Sequence, residues 1–357
     1  MDNEIIRDAQ TVLDSERIEK MEALYKEQSK TNKIKRGAFL TAFSVILGLI
    51  LSKTFGLLLA LINQYYTEIG NKEVTDFILS EEGSLLINVF YSFFLAGIPF
   101  LFGFLISKQS LNETFLFKKT KPGVTAAFVA VGLGVAMLAN IVTALFGEFF
   151  SFLDIPIKAN AVVASKGFSG IFLNVFAVGI IPALLEEFAC RGVIMGIIRR
   201  HSSKSAAIFV SAILFGAIHG NFRQIPFAFL LGLILGYAYA KTENLLVPIL
   251  IHFFNNTFSI LLDEAYMRIG VIEQSILSTA YFTVCLIASL IGFVYLIKNE
   301  PDFLKLEEND GVEDIKKSVS KTLSAVPMVL ALVLLLLNAL YYQFSNEISH
   351  FFSEVLK

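Results

Sequence analysis

The chain reads as an all-α polytopic membrane protein, a bundle of about nine transmembrane helices. Three observations lead there. Hydrophobic residues make up 55% of the sequence and charged residues only 17%; the mean hydropathy is +0.67; and the apolar runs are separated by loops in which basic residues alternate between abundant and scarce. A balance this apolar belongs to membrane bundles, not to soluble domains. The formal charge of −2 and the absence of a basic stripe give no sign of a nucleic-acid partner. Only Cys190 and Cys285 are present, each inside an apolar run, which argues against a disulfide framework or a cysteine-rich metal site.

The elements follow in order. Residues 1–36 form a charged cytoplasmic arm whose Ile5, Ile6, Val12, Leu13, Ile18, Met21 and Leu24 fall at loosely helical spacing. No apolar core precedes Arg36, so insertion is expected to use an internal helix. Lys30, Lys33, Lys35 and Arg36 stand before the first apolar run and place the amino terminus in the cytoplasm. The runs are Ala38–Ile62, Leu85–Ile106, Val124–Leu145, Gly170–Ile198, Ala206–His219, Pro226–Ala240, Leu245–Leu262, Ile276–Ile297 and Leu323–Tyr342. Loops on the expected inner side hold Lys108, Lys118, Lys119 and Lys121, then Arg199, Arg200 and Lys204, then Lys241, then Lys298, Lys305, Lys316, Lys317 and Lys321. Outer loops hold fewer: Lys72, Lys158, Lys166, Arg223 and Arg268. The alternation supports the order of spans. Ala206–His219 is the shortest run and ends in polar Gly220-Asn221-Phe222-Arg223-Gln224. The organisation expected is the arm at 1–36, first membrane helices at 37–120, a membrane core at 121–265, and last helices at 266–357 around an acidic loop at 299–322 with an Asn309-Asp310-Gly311 turn. No solenoid repeat is visible.

Polar groups inside these runs carry the functional signal, since an ionisable side chain in a membrane helix costs at least ~2.5 kcal/mol by insertion scales. The fourth run contains Glu186-Glu187 followed by Arg191. Glu187 and Arg191 stand four apart, the favoured ion-pair spacing, so Glu187 reads as structural and Glu186 as the free carboxylate. The fifth run carries Phe215 and His219, and the seventh His252 and Asn256, each pair one helical turn apart. Measured along helices from their basic ends, Glu186, His219 and His252 all fall in the interior of a ~30 Å hydrocarbon core and can share a cavity. A carboxylate and two imidazoles at one depth can activate water for attack on a carbonyl, hold a divalent metal, or relay protons. Asn256, an uncharged donor able to face an oxyanion, favours hydrolysis over proton-coupled transport. Taken singly, each group has a bland reading as a membrane clip or a packing residue, which for Phe215 is the favoured one. Cys190 reads as inert.

In their order, Glu186-Glu187-x-x-x-Arg191, Phe215-x-x-x-His219 and His252-x-x-x-Asn256 resemble the signature of the CPBP family, the CAAX proteases and bacteriocin-processing (Abi) enzymes. The resemblance covers about residues 120–265 and implies a CPBP-type helical core that hydrolyses peptide bonds inside the membrane. It implies that Glu186 with His219 activates water, that His252 and Asn256 hold the oxyanion, and that Glu187 and Arg191 brace the site, with Phe215 in support. No cofactor is expected to be required. If zinc takes part, Glu186, His219 and His252 are its ligands, although their spacing is not the His-Glu-x-x-His helix. The expected partners are a membrane-associated peptide or protein tail and the lipid bilayer. The composition, rich in Ile, Lys, Phe and Asn and without Trp, suggests a bacterial plasma membrane. The alternative implied by the resemblance is a non-proteolytic scaffold that acts through partner contacts. Water is expected to reach the site from the cytoplasmic side and laterally from lipid.

Overall fold

In the computed structural model, residues 2–155, 157–158, 167–306 and 314–355 are described, with side chains over 15–155, 157–158, 169–306 and 314–345. Lys166 and the Asn309-Asp310-Gly311 turn lie outside the described residues. The described chain is helical apart from one antiparallel bridge between Phe117 and Asn244. Eight helices are long and apolar enough to cross a bilayer. They and one shorter helix run in the expected order: α1 Asp2–Glu68, α2 Glu81–Ser107, α3 Pro122–Phe152 and α4 Ser169–Arg199, α5 Lys204–Ile218, α6 Gln224–Thr242, α7 Leu246–Tyr266 and α8 Val271–Asn299, and α9 Val326–Val355.

The expected boundary between arm and first span does not exist as a break in structure, because α1 runs through position 36 as one helix of 67 residues. Nothing there can stop it. The only weak residue at the junction is Gly37, and a single glycine costs a helix only about 1 kcal/mol. α5 departs in the other direction. Ser203 starts it by accepting the Ala206 N–H at 3.0 Å, and its 15 residues rise ~22 Å, well short of the ~30 Å hydrocarbon core. The turn that follows therefore lies within the depth of the membrane.

α3 packs on α8, α6 and α7, α5 packs on α6, and α1 packs on α2 and α9. Lipid supplies no hydrophobic drive between helices, so close packing and polar contacts must hold them. The best-buried residues accordingly gather where α4, α5, α6 and α7 meet: Val193, Ile194, Val210, Leu214, Leu235, Val247 and Ile251. Ile287, Leu290, Ile291 and Val294 of α8 remain exposed, as lipid-facing residues should.

The segment between α2 and α3 is folded onto the end of the bundle that carries the basic loops. Tyr239 Oη donates to the Thr114 carbonyl at 2.7 Å and accepts the Leu116 N–H at 3.1 Å. Lys118 N–H donates to the Glu243 carbonyl at 3.0 Å, and Lys118 and Glu243 also form an ion pair. Phe115 enters from this segment and stacks on Phe188 with centroids 5.1 Å apart. The place it occupies requires Gly192, where a Cβ would come 2.1 Å from the Phe115 ring.

Candidate active site

α4 is not a uniform helix. It winds as a π-helix over Val175–Ile180, as an α-helix over Ile181–Glu187, and as a π-helix again over Phe188–Ile194. Such wide turns are rare and occur frequently at functional sites. Glu186 and Glu187 close the short α-helical piece between them. Pro182 lies at its start and has no N–H to give the carbonyl four residues back, that of Val178. It is to this carbonyl that Asn256 Nδ2 of α7 donates, at 3.1 Å, while Asn256 Oδ1 accepts from Asn255 at 3.1 Å. Asn256 keeps a second N–H.

The two carboxylates have different surroundings. Glu187 and Arg191 are both 0% exposed and paired, Oε1 to NH1, at 2.9 Å. NH2 of Arg191 donates to the Gly232 carbonyl at 3.0 Å, and its guanidinium lies 4.6 Å from the centre of the Phe215 ring. A buried guanidinium thus meets a carboxylate, a carbonyl and an aromatic face, each of which favours a cation. Phe215 is more than packing. Its ring also meets those of His219 and His252 edge-on at 5.0 and 5.7 Å, and its carbonyl lies 2.7 Å from His219 Nδ1.

Glu187 has a second partner the sequence did not disclose, for His252 Nδ1 stands 2.9 Å from the same Oε1. Carbonyls and carboxylates only accept, so Nδ1 carries the proton on both His219 and His252. Each neutral ring then presents the lone pair of Nε2. Both Nε2 atoms are 4.0 Å from Glu186 Oε2. That oxygen is buried and has no hydrogen-bond partner in the protein. At 4.0 Å a single water can bridge carboxylate and imidazole. Glu186 and His219 are each 23% exposed at the side chain, whereas His252 is 4% exposed. The site therefore has an open pair, Glu186 and His219, in front of a buried chain of His252, Glu187 and Arg191.

The donor types suit zinc, since both imidazoles have a backed Nδ1 and a free Nε2. The separations do not. With bonds of ~2.0–2.1 Å, two ligand atoms 4.0 Å apart would subtend about 150° at the metal, far from tetrahedral. Among the described residues no group of three or more His, Cys, Asp and Glu side chains is arranged to hold a metal ion. No step is derived through a metal.

A cavity of about 490 Å³ borders the turn after His219 through Arg223 and runs along the end of α3. It is at the end of the bundle opposite the basic loops, and Glu186, His219 and His252 are not among its lining residues. Irregular polar backbone at membrane depth is tolerated where it lines a water-filled cavity, which accounts for the turn.

Comparison with known proteins addresses this same region. Residues 168–258 match the family model described as Type II CAAX prenyl endopeptidase Rce1-like. Over this segment the chain is similar to the Rce1-like family. The matched span holds all seven residues singled out above, from Glu186 to Asn256. Over 93 residues the chain is 38% identical to the membrane-embedded CAAX protease MroQ of Staphylococcus aureus, a match covering 24% of this chain and 38% of that protein. Over 103 residues it is 26% identical to YdiL of Bacillus subtilis, named as a candidate membrane peptidase, covering 29% of this chain and 42% of that one. The match thus spans about two fifths of each relative, and α1, α2, α3, α8 and α9 lie outside the Rce1-like segment. No solved structure matches the chain. The chain is an integral membrane protein that is similar, over residues 168–258, to CAAX prenyl endopeptidases.

Proposed function

We propose that the protein is an intramembrane endopeptidase of the CAAX type, cleaving a membrane-associated peptide or protein tail with water activated by Glu186 and His219. The observation that carries this reading is the buried, unpartnered Glu186 Oε2, 4.0 Å from two imidazole nitrogens. Water held between Glu186 and His219 gives a proton to Glu186 as its oxygen bonds the scissile carbonyl carbon. Negative charge then develops on the carbonyl oxygen, where the second N–H of Asn256 supplies a donor and where Nε2 of His252 supplies another once that ring has taken a proton from solvent. As the C–N bond breaks, Glu186 returns the proton to the leaving amine, so the carboxylate ends as it began. Glu187 and Arg191 hold His252 and the α4 backbone in place. No metal enters this reading.

The test is Glu186→Gln, which preserves shape and removes the base. Turnover of a cleavable membrane-tethered reporter should be lost while insertion and melting are unchanged. A Gln variant with full activity would remove Glu186 from the chemistry. Rescue of a deletion strain by that variant as effectively as by wild type would replace the endopeptidase with a scaffold.

A further inference from the structure

The end of α3 carries a feature that hydrolysis at Glu186 does not use. Asn140, Thr143, Gly147, Glu148 and Ser151 recur at helical spacing and line the cavity of about 490 Å³ together with Arg223. Ala144 and Phe146 line it as well, while Ile141, Val142, Leu145, Phe149 and Phe152 of the same stretch are exposed. A membrane helix with one polar face and one apolar face has the first toward an aqueous cavity and the second toward lipid. The Thr143 hydroxyl is buried without a hydrogen-bond partner. Among the described residues, no ion pair involves Arg223 or Glu148, although both line this one cavity.

Arg223 is tied to the catalytic turn. It follows His219 by four residues, so the two α-carbons are at most ~14 Å apart even if the chain were fully extended. Gly220 adopts a left-handed φ of +61°, which turns the chain sharply, and Asn221 Oδ1 accepts the Arg223 N–H at 2.8 Å. The turn thus carries Arg223 on the same short segment as His219, and a guanidinium pairs with carboxylates in bidentate geometry.

We propose that Arg223 is a specificity residue: the cavity between α3 and the α5–α6 turn receives the end of the peptide substrate, and Arg223 binds its C-terminal carboxylate. This rests on the endopeptidase reading. A binding site for an anionic lipid headgroup is the competing occupant.

The experiment uses the full chain in detergent and one cleavable peptide, made as the free acid and as the C-terminal amide. Amidation should raise KM about tenfold or more with little change in kcat, as loss of a charge-assisted contact used for binding does. Arg223→Ala should raise KM for the acid to that of the amide, and Arg223→Lys should restore part of the difference. Wild type that handles acid and amide alike overturns the proposal and leaves the endopeptidase reading intact. An Arg223→Ala defect that is equal for both peptides and appears only in vesicles containing phosphatidylglycerol also overturns it, in favour of the lipid. Binding of the two peptides to Glu186→Gln separates the remaining cases. Acid preferred over amide through Arg223, with neither cleaved by wild type, upholds the subsite and sinks the endopeptidase; no preference in binding sinks the subsite.

Discussion

Glu187 Oε1 lies 2.9 Å from His252 Nδ1, which joins the buried ion pair of one helix to the imidazole of another. The carboxylate that the sequence marks as a clip for Arg191 is therefore also the group that fixes how His252 faces Glu186. Removing it acts on two elements at once.

Glu187→Ala is expected to lower both stability and turnover. Breaking a buried pair by deleting one partner typically costs roughly 3–5 kcal/mol, and here His252 also loses its acceptor. Arg191→Ala should act mainly through stability, because Glu187 still holds the imidazole. Melting in detergent, with turnover measured well below the midpoint, checks both; a Glu187→Ala protein that melts normally contradicts the argument.

Glu186→Gln should leave melting unchanged and reduce cleavage by about 10²–10⁴-fold, the usual range for a positioned general base. His219→Gln should fall in the same range, since it removes the other half of the open pair. Single-turnover cleavage of the reporter measures the two side by side.

Chelation is expected to leave activity intact. The 4.0 Å separations from Glu186 Oε2 to the two Nε2 atoms leave no tetrahedral position between them. Metal analysis of purified, active protein decides the matter, and stoichiometric zinc lost together with activity would reverse the conclusion.

His201, in the loop between α4 and α5, gives a pH effect with a definite sign. Burial, with Lys33 and then Arg200 nearby, pushes its imidazole below the ordinary value of 6.5. As pH falls through that value the unfolded chain takes up the proton before the folded one does, so folding is penalised on the acid side and relieved above it. Wild type should therefore lose stability relative to His201→Gln as the buffer is lowered from about pH 7.5 to about pH 5.5. Parallel melting curves for the two proteins across that range would show that the imidazole is not involved.

Thr143→Cys, in a background with Cys190 and Cys285 replaced, should react with an impermeant thiol reagent from the face on which α3 ends. Labelling from the face of the basic loops instead would invert the orientation of α3 argued from those loops.

Much of the bundle was legible because apolar runs and basic loops are strong signals, and the shortness of α5 was visible in the run Ala206–His219. The seven polar and aromatic positions that meet near Glu186 were legible for the same reason, each being conspicuous in an apolar stretch. What they bond to was not. The approach of His252 to Glu187 depends on the crossing of α4 and α7, which no spacing along one helix encodes. The polar wall of α3 was passed over because Asn140, Thr143, Glu148 and Ser151 are scattered singly in the sequence and become a face only once the helix is wound. The change in composition at Arg36 marks where charge gives way to apolar residues, and the helical spacing on both sides of it runs on as the single helix α1.

The Val178 carbonyl, left without its usual donor by Pro182 and taken up by Asn256, bears on any attempt to transplant these groups to another scaffold. A designer who copied Glu186, Glu187, Arg191, His219, His252 and Asn256 onto regular helices would supply an N–H at position 182 and silence that carbonyl. Asn256 would then be held only by its contact with Asn255. The blueprint must include a proline whose contribution is an atom it does not have.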